Sequence, residues 1–131
     1  VQDNHSISKK SILRGLHFQS NKPQGKLISV SLGEVFDVVV DIRKNSKTYK
    51  MWEAFRINSD NMEQIWIPPG LAHGFLAISE EVHFNYKCTD YYYPENEHTI
   101  NWNDPDLNIK WPITNPILSK KDSNGISINE V

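Results

Sequence analysis

Val82-His83-Phe84-Asn85-Tyr86-Lys87-Cys88-Thr89 reads as a β-strand with one apolar and one polar face. Successive strand residues point to opposite sides. Val82, Phe84, Tyr86 and Cys88 therefore share one face, and His83, Asn85, Lys87 and Thr89 take the other. Such alternation marks a sheet packed on one side and wetted on the other. Tyr86 then lies inside a sandwich or barrel.

Outward from this run, Ile12–Phe18, Lys26–Leu32, Val35–Ile42, Met51–Ile57, Glu63–Ile67 and His73–Ile78 are further short stretches rich in β-branched and aromatic residues. Turn formers separate them: 21–25, Leu32-Gly33-Glu34, Lys44-Asn45-Ser46, 58–61 and Pro68-Pro69-Gly70. The spacing predicts an all-β domain of mainly antiparallel strands, a sandwich or barrel. No stretch carries a helical stripe over three turns, and a late helical turn is expected near Asp104–Leu107. Past Tyr93, Pro94, Pro105, Pro112 and Pro116 predict ordered loops wrapping the outside, with Ser123–Val131 fraying.

The 131 residues suit a single domain, 1–131, and no repeat or linker divides them. A chain of this size hides roughly two thirds of its unfolded surface, so a core needs no disulfide or metal. A formal net charge of −2 gives no basic excess for sequence-independent nucleic-acid binding. No apolar run reaches the roughly 20 residues of a membrane-spanning helix. The single cysteine, Cys88, excludes an internal disulfide and points to a reducing, cytoplasmic setting.

Polar residues within apolar strands carry the chemistry. Lys26 shares parity with Ile28, Val30 and Leu32, at the entrance to an inward row. Asp37 and Asp41 share a face with Val39, in a strand whose two faces are both apolar. His17 lies on the face of Leu13 and Gly15, and Arg14 on that of Leu16. Bringing Arg14 and His17 into one pocket requires a bulge, for which Gly15 is the natural place. A lone histidine on a strand is most often a hydrogen-bonded structural residue. Arg14, His17, Lys26, Asp37, His73 and Tyr86 together in one barrel interior favour a ligand site, because buried charge without pairing is costly.

Several chemistries find too few residues. Pro68-Pro69-Gly70-Leu71-Ala72-His73 matches the second motif of cupin barrels, yet the first strand offers only His17, followed by Phe18 and Gln19. That falls short of a clustered metal-ligand set, and no metal is expected. Cys88 beside Tyr86 reads as a packed thiol. Neither a Gly-x-Ser-x-Gly elbow nor a glycine-rich phosphate loop occurs. Proton transfer remains. A histidine base, a tyrosine acid and a lysine beside a developing oxyanion suit proton abstraction next to a carbonyl. By type and face these are His17, Tyr86 and Lys26.

Gln2-Asp3-Asn4-His5-Ser6, Leu13-Arg14-Gly15-Leu16-His17-Phe18-Gln19, Gln24-Gly25-Lys26, 33–38, 41–44 and 66–75 form an ordered series. It continues through Tyr86-Lys87-Cys88-Thr89-Asp90-Tyr91-Tyr92, Trp102-Asn103-Asp104-Pro105 and 117–122. Across nearly the whole chain this series resembles the dTDP-4-dehydrorhamnose 3,5-epimerase family. The resemblance implies a metal-free jelly roll of the cupin type, needing no cofactor, and a cytoplasmic homodimer. It implies epimerisation at C3 and C5 of dTDP-4-dehydro-6-deoxy-D-glucose to dTDP-4-dehydro-L-rhamnose, in dTDP-L-rhamnose biosynthesis.

By the same resemblance His17 is the general base, Asp122 the carboxylate paired with it, and Tyr86 the acid on the opposite face of the sugar. Lys26 stands near the C4 oxygen and Arg14 near the diphosphate. His73, Gln2, Asn4 and Asp37 line or support the pocket, and Tyr92 lies near the nucleotide base. Family members carry a further segment ahead of the Gln-Asp-Asn motif, with early strands and nucleotide contacts, which this sequence is expected to lack. Tyr93 also replaces a smaller residue. Two other readings stay open: a 3- or 5-monoepimerase on a related dTDP-4-keto sugar, and a non-catalytic binding module.

Overall fold

The alternation builds nine strands in a computed structural model that describes residues 1–131. They are β1 (Gln2–Lys9), β2 (Leu13–Gln19), β3 (Lys26–Leu32), β4 (Glu34–Asp41) and β5 (Trp52–Asn58). β6 (Ile65–Ile67), β7 (Leu71–Ala77), β8 (Glu81–Cys88) and β9 (Glu97–Thr99) follow. One sheet has the order β1-β8-β3-β6, the other β5-β4-β7-β2-β9, and every ladder between strands is antiparallel. Together they form the jelly-roll sandwich expected from the sequence.

The space between the sheets is divided. Ile28, Val30, Val35, Ile57, Ile67, Phe75, Ala77, Val82 and Phe84 form its apolar core. Along the β3–β8 ladder Val30 faces Phe84, Ile28 faces Tyr86 and Lys26 faces Cys88. The inward row thus changes from hydrocarbon to functional groups toward one end.

β4 is apolar on both faces because both are covered. Val35 belongs to the core between the sheets, whereas Val38 and Val40 pack outside with Leu16, Ala72, Ile100, Leu107 and Ile128. The segment past Tyr93 supplies that outer cover. Trp52 Nε1 donates to the Leu107 carbonyl at 2.9 Å, fastening the cover to β5. The terminus does not fray as the sequence suggests. Ile128 is fully buried, and its N–H donates to Asp104 Oδ2 at 2.8 Å. Burying such a side chain contributes about 1.5–3 kcal/mol, which offsets the backbone ordering of about one or two residues. The Ile126 N–H on the Thr99 carbonyl and the Asn101 N–H on the Ile126 carbonyl, both at 2.9 Å, hold the tail as well.

The helical turn expected near Asp104–Leu107 is present as a single uncontinued turn, closed by the Leu107 and Asn108 N–H groups on the Asp104 carbonyl at 3.2 and 2.9 Å. Helical residues lie in 3-10 turns at Pro94–Asn96 and Ile128–Glu130 and in one short helix, α1 (Lys120–Ser123).

β2 and β7 approach unusually closely. The ladder shifts register between Arg14 and His17, the bulge that their shared pocket requires. Gly15 has φ of +126°, and a Cβ on it would lie 2.6 Å from Gly74 Cα. Only glycine fits there.

Candidate active site

The polar end of the sandwich opens into a cavity of about 310 Å³ lined by Gln2, Asn4, His17, Gln24, Lys26, Tyr86, Tyr92, Glu97 and Lys121. A chamber of about 140 Å³ shares His17, Lys26 and Tyr86 with it and adds Ser6, Arg14, His73, Phe75 and Phe84. A larger groove of about 440 Å³, between the sheet edges at β5 and β6, holds none of these groups. Chemistry selects the smaller pair.

His17 comes from β2, turned inward by the bulge. Its Nε2 lies 2.6 Å from Asp122 Oδ1. Asp122 is 3% exposed, sits in α1, and its other oxygen accepts from the Gly15 N–H at 3.3 Å. Ser119 Oγ accepts from the Asp122 N–H at 3.1 Å, fixing the turn that presents the carboxylate. Burial pushes the Asp122 carboxyl up, but the hydrogen bond and charge of His17, with the Gly15 N–H, outweigh it and hold it below its ordinary value. With Nε2 engaged by Asp122, Nδ1 is the ring nitrogen left free.

A second pair lies deeper. His73 Nε2 stands 2.7 Å from Asp37 Oδ2, and the opposite Asp37 oxygen is buried with no partner in the protein. Burial pushes the Asp37 carboxyl up against the opposing effects of His73 and Lys26. His73 stacks on Phe84, which stacks in turn on Phe75 at 4.1 Å between ring centroids. These aromatic faces form the dry side of the chamber.

Lys26 and Tyr86 face His17 from the other sheet. Lys26 Nζ lies 5.6 Å from the centre of the Tyr86 ring. Burial lowers the pKa of the Lys26 ammonium, opposed by Cys88, Glu97 and Asp37. Burial also raises that of the Tyr86 phenol, with Cys88 and Glu97 adding and Arg14 opposing, so Tyr86 holds its proton at neutral pH. One wall thus carries a hydrogen-bonded imidazole, and the other a protonated phenol and a desolvated lysine.

Every site residue expected from the sequence falls at this end, whereas Asp41, noted beside Asp37, lines the separate groove. Arg14, His17, Lys26, His73 and Tyr86 line the chamber, Gln2, Asn4 and Tyr92 line the mouth, and Asp122 and Asp37 stand behind the two histidines. Gln2 Oε1 accepts from the Tyr92 N–H at 2.8 Å, tying the aromatic loop to β1. Sequence reasoning missed Glu97 and Lys121, which form an ion pair at the mouth. Lys121 adjoins Asp122, a usable signal. Glu97 offers none, because only the pairing of β9 with β2 brings it there.

Comparison with known proteins agrees with the geometry. The family model for dTDP-4-dehydrorhamnose 3,5-epimerase matches residues 1–130. An enzyme of that name from Methanothermobacter thermautotrophicus is 52% identical over 133 residues, spanning 99% of this chain and 72% of the relative. The crystal structure of dTDP-6-deoxy-D-glucose-3,5-epimerase from Legionella pneumophila, in complex with dTDP-4-keto-L-rhamnose, superposes with a TM-score of 0.96 at 52% identity, covering 98% of this chain and 69% of that one. A 3'-monoepimerase from Streptomyces bikiniensis in complex with dTDP-quinovose superposes with a TM-score of 0.93 at 34% identity, covering 98% and 66%.

Proposed function

The chain belongs to the dTDP-4-dehydrorhamnose 3,5-epimerase family, and from that premise we propose that it inverts C3 and C5 of dTDP-4-dehydro-6-deoxy-D-glucose, yielding dTDP-4-dehydro-L-rhamnose. The observation that supports this most is the placement of His17, backed by Asp122, on one sheet, with Tyr86 and Lys26 on the other. Inversion needs a base and an acid on opposite sides of the sugar ring.

The reaction follows from the ketone. The C4 carbonyl acidifies the hydrogens at C3 and C5. His17 Nδ1 takes one, the electron pair moves onto the C4 oxygen, and Lys26 stabilises that enolate. Asp122 stabilises the imidazolium. Tyr86 then protonates the same carbon from the other face, and both residues recover their protonation states from solvent before the second centre reacts. A positioned base and acid each contribute about 10²–10⁴-fold. Arg14 and the mouth residues hold the diphosphate and nucleotide, with Tyr92 against the base.

Residues 1–131 act as one epimerase domain, within a homodimer in the cytoplasm. The single free, buried Cys88 supports a reducing compartment. The monoepimerase reading keeps its place through the Streptomyces bikiniensis likeness. Incubation with substrate in deuterium oxide decides between them. Label at both C3 and C5 is expected; label at one carbon makes the protein a monoepimerase, and no label at either removes the epimerase reading.

A further inference from the structure

The inward row of β1 is polar along its length: Gln2, Asn4, Ser6, Ser8. Ser8 is the buried member, 1% exposed, and its Oγ accepts from Arg14 Nε at 3.0 Å. The two residues stand on different walls. Ser8 pairs with Val82 in the four-stranded sheet, and Arg14 with Phe75 in the five-stranded one. Between them the chain turns a corner at Ser11, whose φ is +73°. The bond therefore reaches from sheet to sheet across the inner end of the site.

This is the one hydrogen bond the Arg14 side chain makes within the protein, and no carboxylate pairs with it. Its terminal nitrogens remain available to the chamber that Arg14 lines. A guanidinium fixed at Nε and free at both ends is a fork shaped for two oxygens of one anion. The nature of the fixing group matters. An aspartate at this position would neutralise the charge that an anion needs, and an alanine would leave Nε–H without its acceptor. A hydroxyl orients the fork without discharging it.

We propose that Ser8 is a positioning residue, holding the Arg14 guanidinium toward an anionic oxygen pair of the substrate. The inference rests on the reading that this chamber serves a sugar nucleotide, and it assigns Ser8 no contact with that ligand. Its consequence falls on binding. Losing the bond frees a side chain with many rotamers, and ordering it again weakens affinity by about tenfold.

The test is a double-mutant cycle on the full chain, with dTDP binding by calorimetry and substrate turnover measured for each variant. Ser8→Ala is expected to weaken dTDP and raise KM by about tenfold, with kcat the smaller change. In an Arg14→Ala background the same substitution should cost nothing further, because the group it positions is gone. Unchanged affinity in Ser8→Ala, or losses that simply add, would overturn the proposal. The Arg14 Nε–H resonance supplies a readout independent of the ligand. It should be protected from exchange in the native protein and lose that protection in Ser8→Ala; free exchange in the native protein also overturns the pairing. If the native protein binds no dTDP while Arg14 Nε–H is protected, the sugar-nucleotide reading fails and Ser8's substrate role with it, leaving a structural bond.

Discussion

His17 and Asp122, 105 residues apart in the chain, meet at 2.6 Å between imidazole Nε2 and carboxylate Oδ1. In the proposed reaction the contact fixes the His17 tautomer and gives it a partner for the charge it acquires. Asp122→Asn should therefore lower kcat by about a hundredfold or more while leaving dTDP affinity near its native value. His17→Ala should abolish turnover and leave the melting temperature within a few degrees, since the imidazole is partly exposed. Steady-state kinetics and a thermal melt on both variants check this.

Glycine at positions 15 and 74 is the condition for that contact. A Cβ on Gly74 would stand 2.8 Å from the Arg14 carbonyl, and one on Gly15 would stand 2.8 Å from the His73 carbonyl. Backbone cannot yield as a flexible side chain does. Gly15→Ala and Gly74→Ala should each lower the melting temperature by roughly 5 °C or more and cut activity with it. Native stability in either variant would contradict the close approach of β2 and β7.

Asp41 makes part of the stability depend on pH. Its carboxylate accepts from Arg43, Ser46 and Thr48. Led by the Arg43 hydrogen bond, these hold its pKa far below the ordinary carboxylate range. A depressed folded pKa gives stability that is fully present above the unfolded value near 3.9 and lost as pH falls through the folded one. Asp41→Asn should therefore melt below the native protein by a constant margin above about pH 5, and that margin should close in stronger acid. Melting curves at stepped pH measure it.

Cys88 is 3% exposed, and burial raises its thiol pKa against the pull of Lys26. It should react with a thiol reagent such as Ellman's far more slowly in the native protein than in denaturant. Bound dTDP should slow the reaction further, because Cys88 pairs with Lys26 across the β3–β8 ladder. Equal rates in the folded and unfolded protein would refute its burial.

Most strands were legible because one side chain in two is apolar wherever a strand covers the core. β1 escaped for a physical reason: its inward row faces the cavity, and Gln2, Asn4, Ser6 and Ser8 carry no hydrophobic signal. β9 is three residues long and exists through its pairing with β2. Tail order rests on Ile128, whose socket forms only when distant strands assemble. In the site, Lys26 and Tyr86 stood out as polar intrusions in apolar rows. The partnership of His17 with Asp122 did not, since no local pattern connects residues so far apart; family resemblance supplied it. Glu97 had neither signal.

The wrapping segment that seals the outer face of β4 also carries Asp122, and Ile128 anchors it a few residues later. Synthesis delivers those residues after all nine strands have been made. A nascent or clipped chain that stops short of Ile128 retains His17, Lys26 and Tyr86 on its sheets but leaves the imidazole without a dependable counter-charge. The His17–Asp122 contact is thus a late event in this fold, arriving with closure of the tail rather than with formation of the sandwich.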